Sequence, residues 1–258
     1  MARTVVVTGA SSGIGAAVAT QLGARGDRVV LAARRGDELD RLAKALGPHA
    51  FPVVTDVTVR AEVEHLRDRA IERFGEIDVW INNAGRGLSK FVAEVTDDEL
   101  DQMMTVNVKS ALYGIQAILP HFKARGSGQI INVSSFLSRV PMASIRSAYS
   151  ASKAALNSLT ANLRMDLAAS DPGIHVTLVM PGLVSTEFAR HAVHGTPPIR
   201  PGAGGAPAQS AEDVAAVIVG AIDEPVAEVF TNPALAGMSR KYFEDVAAFE
   251  QGLRPPRG

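Results

Sequence analysis

Thr4-Val5-Val6-Val7-Thr8-Gly9-Ala10-Ser11-Ser12-Gly13-Ile14-Gly15 sets a β-branched run against a glycine-rich turn, and Ala16 to Leu22 continues it with helical period. Such a strand, turn and helix form a cradle for a phosphate. Gly9 permits the tight turn, Gly13 and Gly15 let backbone approach a diphosphate, and the helix start offers unpaired N–H groups and a positive dipole end. The spacing is Gly-x3-Gly-x-Gly rather than the commoner Gly-x-Gly-x-x-Gly. By itself the turn also reads as a purely structural one.

Outward from it, short β-branched runs alternate with longer helical stretches, the pattern of βαβ units in a parallel sheet. Strands are expected at Thr4 to Val7, Arg28 to Leu31, Ala50 to Val54, Ile77 to Ile81, Gln129 to Val133, His175 to Val179 and Glu228 to Phe230. Amphipathic segments near 14–25, 37–46, 59–74, 97–123, 147–169 and 211–222 supply the crossover helices. The fold class expected is α/β: a doubly wound sheet of about seven parallel strands with helices on both faces, and residues 1–258 forming one domain. Gly195 to Gln209, rich in Pro, Gly and Ala, interrupts this order, so 187–209 is expected to be a substrate-binding loop or lid. The tail after Arg254 is expected to be mobile.

The 258 residues are 47% hydrophobic and 21% charged, ordinary globular usage. A net charge of -1 and the lack of a Lys/Arg block argue against a nucleic-acid partner. There is no cysteine, which excludes disulfides, thiolate metal sites and a cysteine nucleophile. Val5 to Val7 is too short for a signal peptide's apolar region, and the stretch around Val214 to Ile222 is too short to span a membrane. A cytoplasmic protein without a membrane segment is therefore expected. His191 and His194 lack a third ligand, and no metal is expected.

Further along, the second strand ends in Arg34-Arg35, where a guanidinium such as Arg34 would grip a ribose 2′-phosphate and an acid would instead accept from ribose hydroxyls. The competing reading is two solvated surface arginines. Asp56, beside Val57, would accept from an adenine amino group or simply cap the next helix. Asn82-Asn83-Ala84-Gly85 follows the fourth strand, and its small residues would let backbone lie against an adenosine. Tyr149-Ser150-Ala151-Ser152-Lys153 opens a helical run in which a separation of four puts phenol and ammonium on one face. A nearby cation would lower the tyrosine's pKa, although such pairs on helices are common.

Taken in order, Thr8 to Gly15, Asn82 to Gly85, Ser135, Tyr149-x-x-x-Lys153 and Pro181-Gly182 resemble the short-chain dehydrogenase/reductase family over essentially the whole chain. The resemblance implies a Rossmann-type fold and an NADP(H)-dependent oxidoreductase, with NAD(H) also possible, acting on a small carbonyl or alcohol substrate. It implies Tyr149 as general acid/base, Lys153 as holder of the nicotinamide ribose and as the group that lowers the tyrosine pKa, Ser135 as hydrogen-bond partner of the substrate oxygen, and Asn107 as support for a water reaching the lysine. Gly9, Ser11, Ser12, Gly13, Ile14, Gly15, Arg34, Asp56, Val57, Asn83, Ala84, Gly85, Pro181, Gly182, Val184 and Thr186 become the cofactor-binding candidates. The family includes non-redox isomerases and dehydratases, and a cofactor-binding sensor is the other alternative. A homo-oligomer, tetramer or dimer, is expected through helices 97–123 and 147–169.

Ser135 stands fourteen positions before Tyr149 and Ser134 fifteen, against a commoner spacing of about thirteen, so Ser135 is favoured and the extra residue falls in Ser138 to Ser147. Phe136, Met142 and Phe188 are candidate pocket residues, equally plausible as packing.

Overall fold

In the computed structural model, which describes residues 2–186, 188, 192–194 and 207–253, Val5, Val6 and Val7 are all fully buried. Successive side chains point to opposite faces of a strand, so this run requires cover on both sides, as parallel sheets have. Seven strands build that sheet: β1 (Thr4–Thr8), β2 (Arg28–Ala33), β3 (Ala50–Val54), β4 (Val79–Asn82), β5 (Gly128–Val133), β6 (Ile174–Met180) and β7 (Glu228–Phe230). Their order is β3-β2-β1-β4-β5-β6-β7, with every pairing parallel. In register, Val6 stands opposite Val30 on one side and Trp80 on the other.

One face packs Val5, Val7, Val29, Leu31, Ile81 and Ile131 against helices α1 (Gly13–Ala24), α2 (Gly36–Leu46) and a later helix, Ala211–Asp223. The other packs Val6, Val30, Trp80 and Ile130 against α3 (Arg60–Phe74) and the helices that follow β4 and β5. These are α5 (Ser110–Arg125) and α6 (Ser147–Ser170); α4 (Asp97–Met104) instead buries Met103 in a small cluster with Leu88 and Ala148, and Ala211–Asp223 is α7.

The expected single helix over 97–123 is thus two helices joined by a π-helical turn, Thr105–Lys109, which widens the spiral at Asn107. Strand β4 begins at Val79 rather than Ile77. Two helices had no counterpart in the sequence reading: α8 (Ala234–Glu244) and α9 (Val246–Gly252). Their Leu235, Met238, Tyr242 and Phe249 close a small core with Phe136, Val140 and Met142.

Of the expected loop 187–209, residues 188, 192–194 and 207–209 are described; the remainder of it, and the tail from 254, lie outside the described residues. Its two ends are fastened. Ser185 N donates to Gln209 O and Gln209 N to Leu183 O, both at 2.9 Å, while Val193 pairs with Leu88. His194, at φ +63, meets Glu99 through Nε2 at 2.5 Å.

Phe122 is fully buried against Gly128, whose added Cβ would fall 2.3 Å from the ring. Urea unfolding should therefore show Phe122→Ala losing about 3–5 kcal/mol through the cavity. Gly128→Ala should lose about 1–3 kcal/mol through overpacking; equal stability of that variant and wild type would refute the contact.

Candidate active site

The C-terminal ends of β1, β4, β5 and β6 open into one cleft of about 1730 Å³. At its β1 side the chain turns through Gly9 (φ +69) and Gly13 (φ +55), left-handed conformations that favour glycine. A Cβ on Gly15 would sit 2.4 Å from Gly9 O and 2.6 Å from Asn83 Nδ2, so turn, helix and the β4 end interlock only because that side chain is absent. Ser12 precedes α1 without capping it, and no acid stands in the first turn. Gly13 and Ile14 at that helix start line the cleft, and the first N–H groups of an α-helix have no partner within it, an arrangement that can take an anion.

Arg34 and Arg35 line the far end of the same cleft. Arg35 donates to Ser11 Oγ (2.9 Å) and Ser12 Oγ (2.8 Å), whereas Arg34 acts on the Asp56 carboxylate. The sequence pointed to Arg34 at this position, and both arginines follow the last residue of β2, Ala33, where no strand pairing fixes their direction. Asp56 Oδ1 accepts from Thr58 N (2.9 Å) and Thr58 Oγ1 (2.7 Å), a capping turn ahead of α3. Burial works to raise that carboxyl, and the Thr58 bonds with the Arg34 charge outweigh it, leaving it below the ordinary value. Val57 lies beside it along the wall.

The β4 end is fixed by amides. Asn83 Nδ2 donates to Thr8 O (2.8 Å), and Thr8 Oγ1 accepts from the N–H groups of Asn83 (3.0 Å) and Ala84 (3.1 Å). Asn82 Nδ2 reaches Asn132 Oδ1 (2.8 Å) on β5. Gly85 then passes beneath Asn107 and Lys153: a Cβ there would fall 3.1 Å from Asn107 Oδ1 and 3.4 Å from Lys153 Nζ. In the π turn, Asn107 grips the backbone of Arg86 from both sides, accepting from its N (2.9 Å) and donating to its O (3.0 Å), and donates also to Ser152 Oγ (3.0 Å).

On the opposite wall the two serines after β5 diverge. Ser134 Oγ is taken up in packing by Asn157 Oδ1 (2.6 Å) and Lys153 O (3.3 Å), while Ser135 is hydrogen-bonded to the Tyr149 phenol. Lys153 is only 4% exposed, and its Nζ donates to Val133 O at 2.8 Å. Burial pushes the ammonium down to about 8. Burial also pushes the Tyr149 phenol above its ordinary value, opposed by the Ser135 hydrogen bond and by a cation. That cation is Arg146, where the sequence pointed to Lys153.

From β6, Pro181 O accepts from Phe136 N (2.7 Å), and Gly182 passes so close to α8 that a Cβ would meet Leu235 Cδ1 at 2.9 Å. Val184 and Thr186 face the cradle, Thr186 Cγ2 standing 3.4 Å from the Cβ position of Gly13. Phe188 places its ring 5.8 Å from that of Tyr149. Phe136 and Met142 line the cleft as well as the α8 core, so both of the readings left open for them hold. His191 lies outside the described residues.

The family model for short chain dehydrogenases matches residues 3–196. The chain belongs to this family. A protein of Staphylococcus aureus (strain N315) described as an uncharacterized oxidoreductase is 42% identical over 185 residues, 71% of this chain and 79% of the relative. A short-chain dehydrogenase/reductase from Burkholderia phymatum, solved with NAD, superposes with a TM-score of 0.85 at 28% identity, over 100% of this chain and 97% of that one. A short-chain dehydrogenase from Burkholderia cenocepacia J2315, solved with NADP, gives 0.81 at 30% identity over 99% and 98%. Membership of the short-chain dehydrogenases places the chain among oxidoreductases whose solved relatives bind NAD or NADP. No helix of the described residues is long and apolar enough to cross a membrane.

A lysine lowered from 10.5 to about 8 releases its proton in the folded chain before the unfolded one does, so the unfolded state holds more protons between those values and stability rises with pH through that window. Lys153→Met removes this dependence. Urea unfolding below pH 8 and above 10.5 should show wild type gaining on the variant as pH rises, and a difference independent of pH would reject the buried ammonium.

Proposed function

We propose that this protein is an NADP(H)-dependent oxidoreductase that moves a hydride between nicotinamide C4 and the carbon of a carbonyl or secondary alcohol, with Tyr149 exchanging the proton. The observation that carries this reading is the convergence of Ser135, Tyr149 and Lys153 on one wall of a cleft whose other end is a glycine cradle flanked by two arginines. When bound, the nicotinamide supplies or takes up the hydride. The cradle from Gly9 to Gly15 holds the diphosphate, Asn83 to Gly85 and Asp56 with Val57 border the adenosine half, and Pro181, Gly182, Val184 and Thr186 border the nicotinamide half. Lys153 takes the ribose hydroxyls.

In the reducing direction the Tyr149 O–H gives its proton to the substrate oxygen while the Ser135 hydroxyl donates a hydrogen bond to the same atom as negative charge builds there. A phenol held above its ordinary value stays a neutral donor at neutral pH, which suits reduction. Asn107 keeps the strand of Arg86 in place beside Lys153 and so positions the ammonium. Arg34 and Arg35 offer paired N–H donors to a 2′-phosphate, with the Ser11 hydroxyl between them and the cradle. The same reading includes assembly of identical chains through α4, α5 and α6, where Leu159 and Met165 stand exposed.

A coenzyme-consumption screen of ketones, aldehydes and secondary alcohols tests the activity. Tyr149→Phe should bind coenzyme and lower turnover by about 10²–10⁴-fold, the range of general acid–base catalysis; near-full activity would dismiss the assignment. Wild type should use NADPH with the higher kcat/KM. Arg34→Asp and Arg35→Asp should each depress the NADPH value more than the NADH value, since each sets a repelling charge where a donor stood. Preference for NADH in wild type would overturn the charge argument.

A further inference from the structure

We infer that Asn157 is a positioning residue of the reaction: its side-chain amide fixes the turn from Ser134 to Ser138 against α6 and so keeps the Ser135 hydroxyl on the Tyr149 phenol. The inference rests on the roles given to Ser135 and Tyr149 above and adds a residue that does not line the cleft.

Tyr149, Lys153 and Asn157 follow one another at intervals of four along α6, so their side chains form one stripe. All three are buried. Asparagine is a mediocre helix former, and an amide out of water is costly unless its polar atoms are paired, so an apolar residue would suit this interior turn better. The amide is paired on both sides. Its Oδ1 accepts from Ser134 Oγ at 2.6 Å, and its Nδ2 donates to Ser138 Oγ at 2.7 Å. Ser138 Oγ in turn donates to Ser135 O, which also accepts from Ser138 N at 3.1 Å.

Proton count makes this network directional, because each hydroxyl has a single proton to donate. Ser134 gives its proton to Asn157 Oδ1, and Nδ2 supplies the bond to Ser138, which leaves the Ser138 proton for Ser135 O. Turning the amide over would put its oxygen opposite Ser138 and draw that proton away from Ser135. One side chain thus grips the residue before Ser135 and the residue three after it. Within the turn Ser135 Oγ accepts from Leu137 N at 3.2 Å, so its own proton is left for the phenol. The backbone bonds of the turn, Ser134 N to Val179 O at 2.8 Å and Phe136 N to Pro181 O at 2.7 Å, reach β6 and its end. Asn157 instead joins the turn to the helix that carries Tyr149. Ser134 Oγ lies 3.3 Å from Lys153 O and keeps an acceptor when Asn157 is replaced, whereas Ser138 loses its donor.

Asn157→Leu keeps the size of the side chain and removes both bonds. Ser138→Ala deletes one atom, cuts the same link and takes the place of the first variant if that one does not fold. NMR of protein labelled at the ζ carbons of its three tyrosines gives the Tyr149 signal as the one missing from Tyr149→Phe. The Ser135 hydrogen bond favours the phenolate, so the ionisation midpoint of Tyr149 should move to higher pH in Ser135→Ala and, in the same direction, in Asn157→Leu and Ser138→Ala. Arg146, the cation that acts on the phenol, is left in place in all of them. For the ketone that wild type reduces fastest in the coenzyme screen, Asn157→Leu should lower kcat by up to about 10²-fold, the effect of a reacting group misplaced by about an ångström. Added to Ser135→Ala, it should lower kcat no further. A Tyr149 midpoint unmoved from wild type in a folded variant overturns the inference, and so do losses that multiply in the double variant, the mark of a structural role independent of Ser135. Failure of the underlying reading looks different, since then no carbonyl or alcohol is turned over with either coenzyme, and the inference falls with it.

Discussion

The Thr8–Asn83 contact fastens the ends of β1 and β4 at the point where the chain parts to opposite faces of the sheet. β1 leads into α1 on one face, and β4 leads towards α4 and α5 on the other, so a crevice opens between the two loops at the reversal of strand order. Three hydrogen bonds through Thr8 and the Asn83 amide hold its floor. Gly9 and Gly15 are demanded by that closeness, because a side chain at either would strike Asn83. The glycine turn and the wall under Lys153 are therefore fastened to each other, and a displacement of β4 would be felt at both ends of the cleft.

Charge placement follows from this geometry. Lys153 and Arg146 are cations pressed into protein, each with its pKa lowered by burial, while the phenol between their helix turns is raised. Burial acts in one direction on all three groups, disfavouring the charged form of each. Lys153 borrows the Val133 carbonyl meanwhile, a dipole rather than an anion.

What the sequence made legible was whatever has a local steric cause. The buried run at β1, the glycines at positive φ and the i, i+4 spacing of Tyr149 and Lys153 are properties of a few consecutive residues, and they sit where the reading placed them. Ser135 and Ser134 separated by strand alternation, again a local rule. The choice between Arg34 and Arg35 over Ser11 depends on how β2 twists out of the sheet, and the cation nearest Tyr149 depends on where the loop before α6 runs. Neither is encoded within a turn of chain. The π turn at Asn107 escaped for the same reason: Thr105-Val106-Asn107-Val108 has ordinary helical composition, and only the bonds to Arg86 and Ser152 reward the extra residue. Helices α8 and α9 were missed although Pro233 starts a run with Leu235, Met238, Tyr242 and Phe249 at helical intervals; the run is short, and three of those four side chains remain partly exposed.

The family match ends at residue 196, ahead of α7, α8 and α9. Residues 3–196 contain the cradle, the arginines, the amides of β4 and the Ser135, Tyr149 and Lys153 wall, and that is the extent of the short-chain dehydrogenase model. Leu235, Gly252 and Leu253, from α8 and α9, line the same cleft from beyond it. Chemistry that is the same for every substrate needs fixed geometry, which buried strands and their ends provide. Selection among substrates needs only a wall of suitable shape, and a pair of short helices packed on Phe136 and Val140 can be altered without disturbing a strand. Phe136 joins the two parts: its N–H is held by Pro181 just after β6, while its ring packs on Leu235 and Phe230. Changes in α8 therefore reach the Tyr149 wall of the cleft through one aromatic side chain and the serine that precedes it.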